Sequence, residues 1–182
     1  DVFTFLFVGR IVKDKGINEL VEAFMRVRKE HPARLLLVGR FEDTLDPVSN
    51  ETRRQIKACK DIVYVGPQYG NDLLACYAAS DGFVFPSYRE GFPNTVLEAG
   101  AMDLPSIVTD INGSREIIEH GKNGLIVPSK NVDALSEAML LMMEKNDMRE
   151  QMKKQARPMI ASRFEQGFVR KCQMDFYDEI MP

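Results

Sequence analysis

The feature that most constrains the fold is a repeated unit: a short apolar run closed by glycine or proline, followed by a segment long enough for a helix. Phe3 to Gly9 (FTFLFVG) is a continuous apolar run ending in glycine. That is the pattern of a parallel strand covered on both faces, which has no polar side to alternate. It is therefore placed at the centre of a sheet. Ile17, Leu20, Val21, Phe24 and Val27 then recur at spacings of three and four, giving one apolar face to a helix that stops near His31 and Pro32. The unit returns at Arg34 to Val38 before Gly39, Ile62 to Val65 before Gly66, and Gly82 to Phe85 before Pro86. Ser106 to Thr109 and Gly124 to Val127 add two more strands, again separated by a segment of helix length. No hairpin turn joins neighbouring strands, and Asn112-Gly113 and Asn123-Gly124 are expected to border helices. Strands that alternate with helices pair in parallel, so the expected fold is α/β: a three-layer Rossmann-like domain around a six-stranded parallel sheet.

Beyond Pro128 the period is helical alone. Val132, Leu135, Ala138, Met139 and Met142 mark one amphipathic helix, and two further helical stretches run to Pro182. Asp43 to Asn50 is a polar stretch expected to form a loop. Nothing else interrupts the chain, so its 182 residues are expected to form one domain.

Composition removes several function classes. A net charge of −3 without a basic cluster argues against a nucleic-acid partner, which would require cations to displace counterions from phosphates. Cys59, Cys76 and Cys172 are distant from one another, odd in number and free of CxxC spacing; they suggest neither a disulfide framework nor a zinc site and fit a reducing cytosol. No signal-peptide pattern opens the chain, and no apolar run reaches the roughly 18 residues of a membrane span. The chain enters a strand-like run directly from Asp1, without Met, which is the expectation for a piece of a longer protein.

Open α/β sheets bind ligands at the carboxyl ends of their strands. After the first strand, Gly9 to Gly16 (GRIVKDKG) sets Arg10 and Lys15 beside a strand end and a helix start. Arg offers a planar fork for two phosphate oxygens, Lys a compact charge, and the helix start oriented N–H groups. A solvated basic loop is the competing explanation, and the glycine patterns of dinucleotide folds and Walker loops are absent. After the fourth strand comes FPSYREGFPNTVLEA, Phe85 to Ala99, with a helix expected from Asn94 or Thr95. Glu90 falls in the loop and Glu98 is expected in the first helical turn, so both can face a ligand at that helix start. Gly91 allows close backbone approach, and the N–H groups near Phe92, Asn94 and Thr95 can bind oxyanions or sugar hydroxyls. Thr95-x-x-Glu98 is also a legitimate capping box, which would account for Glu98 without a ligand.

These blocks together resemble the retaining glycosyltransferases of group 4, enzymes with two facing Rossmann-like domains (GT-B), in their C-terminal domain. VGRIVKDKG, LLLVG, VYVGP, YAASDGFVFPS, the Glu-x7-Glu run, LPSIVTDINGSREII and HGKNGLIVP stand in that family's order along nearly the whole chain. The resemblance implies a nucleotide-sugar donor: Arg10 and Lys15, with Gly9, on the diphosphate, Glu98 on the ribose hydroxyls, and Glu90 with the Gly91-Phe92 backbone on the transferred sugar. Arg10, Lys15 and Glu90 would be the catalytic set. Gly66, Pro67, Gln68 and Tyr69 would flank the nucleobase, and Asn94 and Thr95 would complete the cradle. Where many members have EGFG this chain has EGFP, so Pro93 removes one backbone N–H from it.

The implied chemistry is a phosphate clamp on a departing nucleoside diphosphate, with UDP-, GDP- and ADP-sugars as candidate donors. No Asp-x-Asp or cluster of hard oxygen ligands is seen, so neither a metal nor a further cofactor is expected. A glycosidase pair at Glu90 and Glu98 does not suit a phosphate-binding context. The acceptor, a saccharide or lipid-linked saccharide, would be held by an N-terminal domain absent from this sequence, as would any membrane contact at the inner face of a plasma membrane. Residues 165–182 resemble the helix that crosses back to that domain, with Phe168, Cys172, Phe176 and Ile180 on one face. Bacterial surface polysaccharide or glycolipid synthesis is the expected setting. A nonhydrolysing UDP-sugar epimerase and a non-catalytic nucleotide-sugar-binding module are the alternatives. His31 and His120 are expected to end helices, His120 as a cation suited to the dipole, and Met139 to Met143 to fill core.

Overall fold

A computed structural model describes residues 2–181. Strands β1 (Phe3–Val8), β2 (Ala33–Val38), β3 (Ile62–Gly66), β4 (Gly82–Phe85), β5 (Ser106–Thr109) and β6 (Gly124–Val127) form one parallel sheet in the order β3-β2-β1-β4-β5-β6. β1 and β4 are its two central strands, joined in the register Phe5 to Gly82. Thr4 to Val8 and every residue of β4 and β5 are buried, which is why these runs do not alternate apolar with charged residues; Thr4, Ser106 and Thr109 are their buried polar members.

The helices are α1 (Ile17–Glu30), α2 (Asn50–Ala58), α3 (Gly70–Ala78), α4 (Asn94–Ala101), α5 (Ser114–Ile117), α6 (Val132–Glu144), α7 (Asn146–Phe164) and α8 (Gln166–Ile180). α1 packs against α2 and α6, and α4 packs against α7. The apolar face of α1 is fully buried at Ile17, Leu20, Val21, Phe24 and Val27, as its spacing predicts. Truncating a side chain such as Phe24 to Ala costs about 3–5 kcal/mol in such a setting. Ser49 Oγ accepts from Thr52 N–H at 3.0 Å to start α2, and Asn131 Oδ1 accepts from Ala134 N–H at 2.9 Å to start α6; caps of this kind each contribute about 1 kcal/mol. Pro158 lies inside α7 on its exposed side, where the carbonyl left without an N–H partner can turn to water.

Three expectations are corrected here. The connection between β5 and β6 has helix length but only the four helical residues of α5. Asn123-Gly124 opens β6 instead of bordering a helix: buried Asn123 donates to the Ile117 carbonyl at 3.1 Å and accepts from Glu119 N–H at 2.8 Å, tying the connection into a loop. His120 does not end a helix: it lies past Ile118, the C-cap of α5, in a bridge to Gly124, and its Nδ1 accepts from Ile126 N–H at 3.0 Å. His31 does end α1, its N–H donating to the Val27 carbonyl at 3.0 Å, and its ring also meets Glu144 of α6 at 3.0 Å. In α8, Phe168, Cys172, Phe176 and Ile180 are all exposed. Among the described residues no helix is long and apolar enough to cross a membrane.

Candidate functional site

The strand order reverses between β1 and β4, so their outgoing connections part at the carboxyl edge of the sheet and leave a crevice there. The loop after β1 includes a single 3-10 turn, Lys13–Lys15, and ends at Gly16. The loop after β4 runs from Pro86 to Pro93, where α4 starts. The two loops touch through their backbones. Gly16 has φ +69°, and a Cβ there would lie 2.1 Å from the Pro86 carbonyl oxygen, so only glycine fits. Tyr88 N–H donates to the Asp14 carbonyl at 2.9 Å, Arg89 Nε donates to Asp14 Oδ2 at 2.9 Å, and Tyr88 OH donates to Glu19 Oε1 at 2.7 Å. Burial, then the bond to Glu19, push the Tyr88 phenol well above its ordinary range, so it stays a donor.

This strapping brings Lys15 of one loop against Glu90 of the other. Lys15 Nζ pairs with Glu90 Oε1, and the two side chains are only 15% and 14% exposed. Ser87 Oγ, on a fully buried residue, donates to the same oxygen at 2.7 Å. Beneath them Phe85 lies 5.7 Å from Lys15 Nζ and stacks on Phe7 and Phe83, an apolar floor that limits solvent screening. A pair so desolvated adds little stability by itself, but deleting one partner strands the other charge.

Arg10 stands apart from this pair. It is 58% exposed, and its guanidinium donates to Glu42 Oε2 at 3.0 Å rather than to Glu90 or Glu98. Arg10, Arg40, Phe41, Glu42, Asp43 and Thr44 line a cavity of about 470 Å³. The segment Glu42 to Asp46 braces the loop after β1: Asp46 Oδ2 accepts from Asp14 N–H at 2.6 Å and its carbonyl from Lys13 N–H at 3.1 Å. Gly9 and Gly66 are neighbours of the same edge, since Gly9 N–H donates to the Val38 carbonyl at 2.9 Å and Gly39 N–H to the Gly66 carbonyl at 3.0 Å. After β3, Gln68 Nε2 donates to the Val65 carbonyl at 2.7 Å, while Pro67 and Tyr69 are exposed.

On α4 two details differ from expectation. Pro93 is the N-cap and the helix begins at Asn94, so Thr95 is an interior residue and no capping box with Glu98 forms. Glu98 accordingly lies in the second turn, exposed, where its Oε2 accepts from Tyr77 OH at 2.9 Å. Tyr77 is 1% exposed, and burial first, then the Glu98 charge, push its phenol far above the usual range. No side chain caps α4, which leaves the N–H groups of Asn94 and Thr95 open at the positive end of the helix. Gly91 and Phe92 are exposed ahead of it, and the Phe92 ring meets Phe164 of α7 at 5.4 Å. The Gly91 carbonyl rests on Gly113, where a Cβ would come within 2.4 Å.

The structure thus joins Lys15 to Glu90 and sets the open start of α4 at the end of the same loop. Arg10 and Glu98 occupy the carboxyl edge with partners of their own. Sequence reasoning missed Ser87, Tyr77, Glu42 and Asp46. Only Ser87 had a local signal, a serine three residues before Glu90 in a Pro-rich loop.

The family described as "Glycosyl transferases group 1" matches residues 1–159. The chain is 30% identical over 170 residues to the capsular polysaccharide biosynthesis glycosyltransferase CapM of Staphylococcus aureus, covering 93% of this chain and 44% of that protein. Sucrose-phosphate synthase from Thermosynechococcus elongatus superposes with a TM-score of 0.82 at 26% identity, over 99% of this chain and 46% of that one. The C-terminal domain of a group 1 glycosyl transferase from Francisella tularensis superposes with a TM-score of 0.81 at 22% identity, over 90% of this chain and 87% of that one, a likeness of fold. The chain spans less than half the length of the curated relatives it matches.

Proposed function

The chain belongs to the glycosyl transferases of group 1, and on that premise we propose that it is the donor-binding C-terminal half of a two-domain enzyme. In this reading it holds a nucleoside diphosphate sugar, and the full-length protein transfers the sugar to a saccharide or glycolipid acceptor with retention of anomeric configuration. One observation carries the reading: Lys15 and Glu90, drawn from two loops, meet at the β1/β4 switch point beside the uncapped start of α4.

Lys15 and Arg10 take the diphosphate, Arg10 after leaving Glu42. Glu90, with the Gly91 and Phe92 backbone and the open N–H groups of Asn94 and Thr95, takes the transferred sugar. Glu98 accepts from the ribose hydroxyls, and Gly66 to Tyr69 lie along the nucleobase. In the transfer the bond from the anomeric carbon to the β-phosphate oxygen breaks, and the diphosphate leaves with the electron pair. The acceptor hydroxyl oxygen forms the new bond, and its proton passes to the departing diphosphate oxygen. Negative charge on the β-phosphate is greatest at that stage, and a fixed cation there is worth about 2–4 kcal/mol of barrier. The cationic side chains do this work, so a divalent ion is not required.

The relation to a capsular polysaccharide enzyme supports a setting in bacterial surface polysaccharide synthesis. Three free cysteines support a cytoplasmic location. Isothermal titration of UDP, GDP, ADP and their sugars, with and without a chelator, tests the reading. One base is expected to bind, unaffected by the chelator, and Arg10→Ala and Lys15→Ala are expected to weaken it. No binding of any nucleotide, or equal binding by both variants, would overturn it.

A further inference from the structure

Glu90 has two carboxylate oxygens, and the chain treats them differently. Oε1 receives both Lys15 Nζ and Ser87 Oγ, whereas Oε2 receives no hydrogen bond among the described residues and is not sealed from solvent. Ser87 is fully buried, and three oxygens lie within reach of its hydroxyl: Glu90 Oε1 at 2.7 Å, the Arg89 carbonyl at 3.2 Å and the Asp14 carbonyl at 3.4 Å. A hydroxyl has one proton to give. The carboxylate is both the nearest acceptor and the charged one, so it takes the proton. Ser87 is in turn held from below, because the hydroxyl of Thr109, 1% exposed at the end of β5, donates to the Ser87 carbonyl. Tyr88 N–H fixes the next peptide to Asp14.

We infer that Ser87, backed by Thr109, is a positioning residue that decides which oxygen of Glu90 meets the donor sugar. Oε1 stays with Ser87 when Lys15 turns to the diphosphate, so Oε2 remains the oxygen presented to the crevice. It accepts one hydrogen bond from the sugar, so the facing sugar position must carry a donor, a hydroxyl or an amide N–H. A carboxylate at that position would be repelled. Without Ser87, Glu90 loses the partner that stays when Lys15 turns to the diphosphate, and it can turn about its terminal torsion. This rests on the donor-site reading above and refines it.

The consequence separates two affinities. Ser87 lies behind Glu90, so its loss should spare the grip on the diphosphate and remove the extra affinity contributed by the sugar. The test is titration of the 182-residue chain and its Ser87→Ala and Ser87→Cys variants with UDP, GDP and ADP. The glucose and N-acetylglucosamine or mannose conjugates of whichever base binds are then titrated in the same way, and thermal melting is followed for each variant. The expected result for Ser87→Ala is a nucleoside diphosphate affinity within about twofold of wild type and a ratio of sugar-conjugate to diphosphate affinity reduced about tenfold. Ser87→Cys, of similar size but a weaker donor, should fall between, and it serves alone if the alanine variant does not fold. An unchanged ratio in both variants overturns the positioning role. So does a parallel loss of both affinities, which would mark Ser87 as merely structural. If the wild-type chain binds no nucleoside diphosphate, the donor-site reading fails first and takes this one with it.

Discussion

The hydroxyl of Tyr77, buried in α3, donates to Oε2 of Glu98 across 2.9 Å, linking the helix after β3 to the helix after β4. Glu98 is exposed on α4 yet has one oxygen fixed from beneath. A carboxylate held in this way is suited to receive a pair of vicinal hydroxyls from one direction. Tyr77→Phe keeps the ring and removes the hydroxyl, with its bond to Glu98 and its longer 3.3 Å contact to the Thr95 carbonyl. The variant should lose about 1 kcal/mol of stability in urea unfolding, toward the low end because Glu98 is open to water. Its preference for a ribonucleoside diphosphate over the 2′,3′-dideoxy analogue should shrink severalfold, whereas unchanged discrimination would remove Glu98 from the ribose.

The same phenol sets a limit at high pH. The folded chain holds the Tyr77 proton far above the ordinary tyrosine range, through burial and then Glu98, and holds Tyr88 in the same direction through burial and Glu19. Above about pH 10 the unfolded chain releases protons that the folded chain keeps, so the unfolded state binds fewer and stability must fall as pH rises. The slope is about 1.4 kcal/mol per pH unit for one such group, and the contribution is fully present below that pH. Urea unfolding across this range measures the slope, and native phenolate absorbance at about pH 11 should fall short of that of the unfolded chain. A stability independent of pH there would contradict it.

Glu42 competes with a diphosphate for Arg10. The pair is at the surface, where such bridges contribute about 0.2–1 kcal/mol, so Glu42→Gln should tighten nucleoside diphosphate binding about two- to fivefold. The gain should fade as salt is added. Weaker binding by the variant would mean that Glu42 assists the ligand instead.

Gly16→Ala places a methyl group in the space of the Pro86 carbonyl at a backbone conformation that alanine resists. A cost of about 1–3 kcal/mol in unfolding free energy is expected from the backbone strain. Because the same contact brings Lys15 to Glu90, nucleotide affinity should fall as well. Full affinity in a destabilised variant would show that the two loops need not touch for binding.

The contrast between the strands and the site explains what the sequence made legible. All six strands could be located because each keeps a short apolar run, although only β4 and β5 are buried throughout and Arg34, Tyr64 and Val65 are exposed, and Gly9, Gly39 and Pro86 stop the runs abruptly. Lys15 and Glu90 could be named because each follows such a run. Their meeting could not, since it depends on the reversal of strand order between β1 and β4 and on Gly16 fitting under Pro86. The Thr95–Glu98 capping box failed because Pro93 already serves as the N-cap, a choice that the local pattern does not settle. Tyr77 and Thr109 look like ordinary core residues in the sequence; only the packed structure aims their hydroxyls at Glu98 and at Ser87. Glu42 sits in a stretch whose sequence reads only as a polar loop.

The central claim is that Lys15 and Arg10 receive the diphosphate of the donor. A crystal structure of the chain with the nucleoside diphosphate that binds in titration tests it most directly. The account predicts a β-phosphate oxygen about 3 Å from Lys15 Nζ, the Arg10 guanidinium turned from Glu42 to the phosphates, and a ribose hydroxyl on Glu98. A diphosphate bound with Lys15 still closed on Glu90 and Arg10 still on Glu42 would contradict it.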